Sequence, residues 1–192
     1  MIYKVLKVLK DNLDTELNSA DSESGTVDPV EVVIDNIARE ENDASAITNK
    51  VVITLLNAQE EPALKNTPRY ELVSTAPKQY IKVNPPAYLN LYVMVSANRD
   101  NYEIALKDIS KVIEIVQTQK NFTSPTSDFT FKAQLHPLPF EQLSYVWGLL
   151  GGKVIPSAFY KLSIVKIQKE GETDAVTIET IDVVTQKIEQ EN

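Results

Sequence analysis

Few residues in this chain could do covalent chemistry, and their types and spacing decide what remains possible. There is no cysteine, which removes thiolate nucleophiles, disulfides and Cys zinc sites. Only one histidine is present, so any Ser-His-Asp arrangement or His-based metal site would have to be built on His136. That residue ends an alternating strand just before Pro137, where it reads as a boundary residue rather than a general base. Paired carboxylates can do acid/base work or bind Mg²⁺, but Glu40-Glu41 and Glu60-Glu61 fall in polar stretches whose side chains are expected to face solvent. Neither a GxGxxG nor a GxxxxGK[ST] pattern occurs, and five glycines leave little for a phosphate cradle. The one glycine cluster, Trp147-Gly-Leu-Leu-Gly-Gly-Lys153, follows a helix, whereas an anion loop must precede one to use the helix N-terminus. No nucleophile, base and orienting group can be assembled. The expectation is a protein that is not an enzyme and has no cofactor and no metal.

Composition narrows the partners. The 192 residues carry 19 Lys and Arg against 27 Asp and Glu, a net charge of −8. With no basic stripe to offset it, this acidity argues against nucleic acid and against an anionic membrane. No apolar run approaches the length of a membrane span or follows a basic leader, so no membrane insertion is expected. The sequon at Asn121-Phe122-Thr123 is then a string match only. With 43% hydrophobic and 24% charged residues, most of the chain should fold. A soluble protein of a reducing compartment is expected.

The elements that must position these residues follow from periodicity. Ile2, Val5, Leu6, Leu9, Leu13 and Leu17 recur at helical spacing over Met1 to Ala20, with lysines and aspartates opposite. Val30 to Ile37 is β-branched, and Lys50 to Asn57 reads as a buried strand. Gln59 to Pro86 is polar and rich in proline, with one short strand expected near Arg69 to Ser74. Ala87 to Ala97 is bulky on both faces, as a central strand covered on both sides would be. Tyr102 to Gln119 is the strongest helix, capped by Asn101 or Asp100, with Tyr102, Ala105, Leu106, Ile109, Val112, Ile113 and Val116 on its apolar face. Phe129 to Leu135 alternates as a strand. A short helix starts at Pro137-Leu-Pro-Phe-Glu, should bury Phe140, Leu143, Val146, Trp147 and Leu150, and should end at Gly151-Gly152. Ala158 to Gln168 and Val176 to Val184 read as strands. The order predicts a mixed α/β (α+β) fold, a largely antiparallel sheet packed by about three helices. A single domain over 1–185 and a polar tail over 186–192 are expected.

The run from Phe140 to Leu162 resembles the signature of tail-terminator, or cap, proteins of bacterial contractile injection systems, which are phage-tail-like particles. That signature is a helix, then Trp-Gly-x-Leu-Gly-Gly-Lys, then Pro-Ser and a closing strand. It falls here on Trp147, Gly148, Gly151, Gly152, Lys153, Pro156, Ser157, Tyr160 and Lys161. Asn36-Ile37-Ala38, the stretch Asn49 to Asn66, Asn84-Pro85-Pro86-Ala-Tyr-Leu-Asn-Leu-Tyr92 and the helix start at 101–106 follow the family order, so the resemblance covers roughly residues 1–168. Val154-Ile155 departs from it, standing where a polar or aromatic residue is expected.

The resemblance implies a tail-terminator-like fold and a structural role. Such proteins form a homohexameric ring at the end distal to the baseplate, seated on the last layer of the inner tube and the last ring of the sheath, and stop further addition. The implied partners are therefore other copies of the chain and the sheath and inner-tube subunits. Assembly is expected in the bacterial cytoplasm, within a particle that is later released or membrane-anchored. Among the motif residues, Trp147 is expected as a core anchor, and Gly148, Gly151 and Gly152 as backbone-geometry positions. Pro156 and Ser157 should lead into the last long strand, and Lys153 and Lys161 are candidates for cross-subunit ion pairs. Val176 to Val184 is either an assembly edge or a hairpin partner of Ala158 to Gln168. An assembly chaperone or other component of the same particle, and a small ligand-binding domain, remain as competing readings.

Overall fold

A computed structural model describes residues 1–19, 29–38, 46–64, 70–75, 78–83, 86–126, 129–152, 154–167 and 172–174. Contacts group into two compact units, residues 1–65 with 87–167 and residues 66–86 with 168–192. The expected domain of 1–185 spans both.

In the larger unit the apolar stripe of the N-terminal helix α1 (Ile2–Ser19) is buried at Val5, Leu6, Val8, Leu9, Leu13 and Leu17. Its wet side is also used. Asp14 Oδ1 accepts from Val32 N–H at 3.1 Å, and Asn18 both donates to Val30 O and accepts from Val30 N–H at 3.0 Å. These bonds hold the first edge strand, β1 (Val32–Ile34), which pairs in parallel with β2 (Lys50–Glu60) at Val51 to Ile53. The long strand β5 (Ala87–Asn98) is antiparallel to β2 on one side and to β8 (Ser157–Ile167) on the other. Then come β7 (Thr130–Leu135) and the edge strand β6 (Asn121–Thr123). The sheet order is β1-β2-β5-β8-β7-β6, with only the β1–β2 pair parallel. The mixed, mostly antiparallel α/β architecture expected from the sequence is the one observed.

Strand alternation splits the core into two layers. Val51, Ile53, Leu91, Val93, Val95, Ala158 and Leu162 pack with α1 and with α2 (Tyr102–Thr118). Val52, Met94 and Phe159 face the other way and pack with Trp147 of α3 (Phe140–Leu149), Ile37 and Ile47. The expectation of a central strand covered on both sides holds for β5. Asn101 caps α2 through its side-chain oxygen, which accepts from Glu103 N–H at 2.9 Å. Where β5 hands over to α2, Arg99 Nε donates to Asp108 Oδ2 at 2.7 Å and Arg99 Nη1 donates to Asn49 O at 2.7 Å. Both charged side chains are almost fully buried. Asn49 takes a left-handed backbone (φ 58°), which asparagine tolerates.

In the smaller unit β3 (Tyr70–Thr75) and β4 (Lys78–Val83) form an antiparallel pair, and β9 (Glu172–Asp174) adds to β4.

Several local expectations are corrected. Among the described residues of the 59–86 stretch β3 and β4 both form where one strand is expected, and β6 is a further strand beyond those expected. Phe140 is 83% exposed rather than part of the α3 core face, because the helix presents Trp147 to the sheet and its first turn projects away. Tyr102 and Leu106 of α2 are likewise exposed. From Tyr160 to Leu162, β8 has β5 on one side and β7 on the other. Val176 to Val184 itself lies outside the described residues.

Candidate functional site

The sequence motif folds into the corner where α3 ends and β8 begins. Trp147 is the one fully buried side chain of α3 and sits among Ile37, Ile47, Val52, Met94 and Phe159. The helix terminates as a Gly-Gly ending should: Gly151 and Gly152 have φ of +94° and +77°, and Gly152 N–H donates to Trp147 O at 2.7 Å. Gly148 differs in its backbone, which is helical and not at positive φ; at all three glycines an added Cβ would meet nothing within 4 Å. Its backbone does not need glycine. Pro156 O accepts from Ala97 N–H at 3.0 Å, and Ser157 opens β8 opposite Ser96. These two residues do lead the chain into the last long strand.

Further along β8, Tyr160 is 2% exposed, and its hydroxyl has no hydrogen-bond partner among the described residues. Burial pushes that phenol up to about 12. Lys161 is engaged within the chain, its Nζ 3.9 Å from Glu61 Oε2. Glu61 in turn accepts from Asn90 Nδ2 at 2.6 Å, and Asn90 is buried. That hydrogen bond first, then the Ala63 N–H and the Lys161 charge, hold the Glu61 carboxyl below its usual value. Of the acidic pairs, Glu61 is thus a structural acceptor rather than a solvated charge. Glu40-Glu41, Lys153, Asn84 and Pro85 lie outside the described residues, and Pro86 directly precedes β5.

His136 behaves as a boundary residue. Its N–H donates to Phe159 O at 2.8 Å and its ring meets Tyr92 edge-on at 5.1 Å. No three His or carboxylate groups converge among the described residues. What the corner does offer is apolar surface. Phe140, Tyr145 and Leu149 of α3 and the following Val154 are 74–85% exposed. Sequence reasoning missed this, although the signal was present: the apolar residues of the helix are not confined to one face, so the face that packs on the sheet leaves others exposed.

The family model of the Pvc16 N-terminal domain matches residues 4–179. The chain belongs to the Pvc16 N-terminal domain family. No curated protein matches it. Among solved structures, it is similar to the sheath/tube terminator of an extracellular contractile injection system, PVC, in the extended state, with a TM-score of 0.64 at 15% identity. That match covers 100% of this chain and 64% of the other. It is also similar to the tube-terminating cap of the anti-feeding prophage, with a TM-score of 0.60 at 12% identity over 94% of this chain and 60% of that one. The chain therefore spans less than two thirds of the length of these structures. The Pvc16 N-terminal domain runs through both compact units and contains the whole α3–β8 corner.

Proposed function

We propose that this chain caps the distal end of the tube and sheath of a contractile injection system and stops their polymerisation. The observation that carries the reading is the match of the Pvc16 N-terminal domain to residues 4–179, on a fold shared with a sheath/tube terminator and a tube-terminating cap. In this reading residues 1–185 act as one terminator domain, and six copies close into a ring. A ring uses heterologous contacts that close on themselves, and the exposed apolar residues of α3 are suited to such a contact. Its partners are other copies of itself and the subunits of sheath and inner tube. It acts by occupying a growing end, with no catalysis and no cofactor, and it is put in place in the bacterial cytoplasm.

Deleting the gene tests this. Tube and sheath subunits should still be made and should still polymerise, but particles seen by electron microscopy should have scattered lengths and no distal cap. Adding back the wild-type chain should restore uniform particles. Capped particles of uniform length in the deletion strain would refute the assignment. An assembly chaperone would instead leave few particles of any length.

A further inference from the structure

α3 is held to the sheet differently from the other two helices. α1 buries six apolar side chains and is tied to β1 through Asp14 and Asn18. α2 buries Ala105, Ile109, Val112 and Val116, and its buried Asp108 accepts from Arg99 at the end of β5. α3 buries Trp147 alone, with Leu143, Val146 and Leu150 half-covered beside it. Its hydrogen bonds are local: Leu143 N–H donates to Pro139 O, Leu150 N–H to Val146 O, Gly152 N–H to Trp147 O and Ser144 Oγ to Phe140 O. Among the described residues, no hydrogen bond or ion pair runs from 139–152 to another element.

Both flanks of the helix are undercut. A cavity of about 600 Å³ is lined by Val146, Leu149 and Leu150, and another of about 350 Å³ by Leu138, Gln142 and Val146. Val146 borders both, so α3 rests on a narrow ridge centred on Trp147. Atoms that face a void have lost their dispersion partners on that side. The chain enters α3 through Pro137-Leu138-Pro139 and leaves it through Gly151 and Gly152, both at positive φ. Proline has no N–H to commit, and glycine crosses backbone conformations freely. Both ends can therefore turn without breaking a bond that ties the helix to the sheet.

We propose that α3 is a hinged arm, latched by Trp147, that lifts from the sheet between these two ends while the sheet and the α1–α2 layer stay folded. Lifting uncovers Val52, Met94 and Phe159, the residues that now pack against the indole. The inference goes beyond the terminator reading and does not rest on it, so the two fail separately.

The chain has no cysteine, so an introduced thiol is the only one present. Val51 and Val52 are neighbours on β2, both 0% exposed, and they face opposite layers of the core. The test is the reaction of full-length Val51→Cys and Val52→Cys chains with dithiobis-nitrobenzoate under native conditions. Val52→Cys should react at least a hundredfold faster, at a rate almost flat in low urea. Val51→Cys, released only by global unfolding, should be slow and should climb steeply with urea. Leu13→Ala lowers global stability from the α1 layer, so it should speed Val51→Cys at least tenfold and leave Val52→Cys within twofold. Val93→Cys and Met94→Cys repeat the comparison on β5 if a valine variant fails to fold. A ten-residue helix is marginal once off the sheet, so the amides of Leu143 to Leu149 should exchange with the same shallow urea dependence as the Val52→Cys reaction. Equal rates for the two thiols, or rates that climb in parallel with urea, would overturn the proposal. So would α3 amides that hold out to global unfolding while Val52→Cys reacts, because another cover would then have moved.

Discussion

Trp147 is the largest side chain holding α3 to the sheet, with five buried neighbours and no other fully buried residue on its helix. Trp147→Ala should therefore cost about 3–5 kcal/mol, read as a lowered thermal midpoint of the isolated chain. An unchanged midpoint would move the indole out of the core. Tyr160 makes a different prediction, tied to pH. Its phenol stays neutral up to about 12 when folded and ionises near 10 when unfolded. The stability it contributes is thus fully present below pH 10 and is lost as pH rises through 12, by up to about 2 kcal/mol. Tyr160→Phe removes the hydroxyl that finds no partner, so it should be neutral or stabilising at pH 7 and should flatten the alkaline unfolding curve between pH 10 and 12. A steeper alkaline loss in the variant would contradict the burial argument.

At the scale of elements, α3 and the turn that ends it hold two kinds of glycine, and substitution separates them. Gly148→Ala places a methyl in open space within a helix and should stabilise by about 0.5–1 kcal/mol. Gly152→Ala forces a side chain onto φ +77° and should destabilise by about 1 kcal/mol or more. Chemical denaturation of both variants checks the pair, and equal effects would mean that the helix ends elsewhere. This helix end was legible in the sequence because Gly-Gly after an apolar run has few other uses. α1, α2, β2, β5 and β8 were legible for a similar reason, since each is long enough for its period to repeat. β6 is three residues long and shows no period. β4 sets lysines and a glutamine among its apolar residues in a proline-rich stretch, which reads as loop until its pairing with β3 is known. Lys161 was singled out for a contact between subunits, but its partner Glu61 lies a hundred residues earlier in the chain. Only the registers β2–β5 and β5–β8 bring them together. The exposed face of α3 escaped notice because periodicity tells which residues are apolar, not which of them a helix leaves uncovered.

For the whole molecule, charge sets the condition for assembly. Each chain carries −8, so the proposed ring of copies would concentrate like charge, and salt shortens the range of that repulsion to about 10 Å at 0.1 M. Self-association should accordingly weaken at low ionic strength and strengthen as salt is added, which mass photometry across a salt series reads directly. Larger species that vanish on adding salt would show that attraction between opposite charges holds them. The order of strands in the sheet also has a consequence during synthesis. β5 lies at the centre, but β8, its partner on one side, ends about 70 residues after β5 has been made. At ribosomal speeds of roughly 5–20 residues per second, one flank of this central strand stays without its neighbour for ~4–14 s in every round of translation. A nascent chain of this protein is most vulnerable to chaperone capture or misassociation while the ribosome is between codons 98 and 167. Pausing there should depress soluble yield far more than pausing in the first 50 codons.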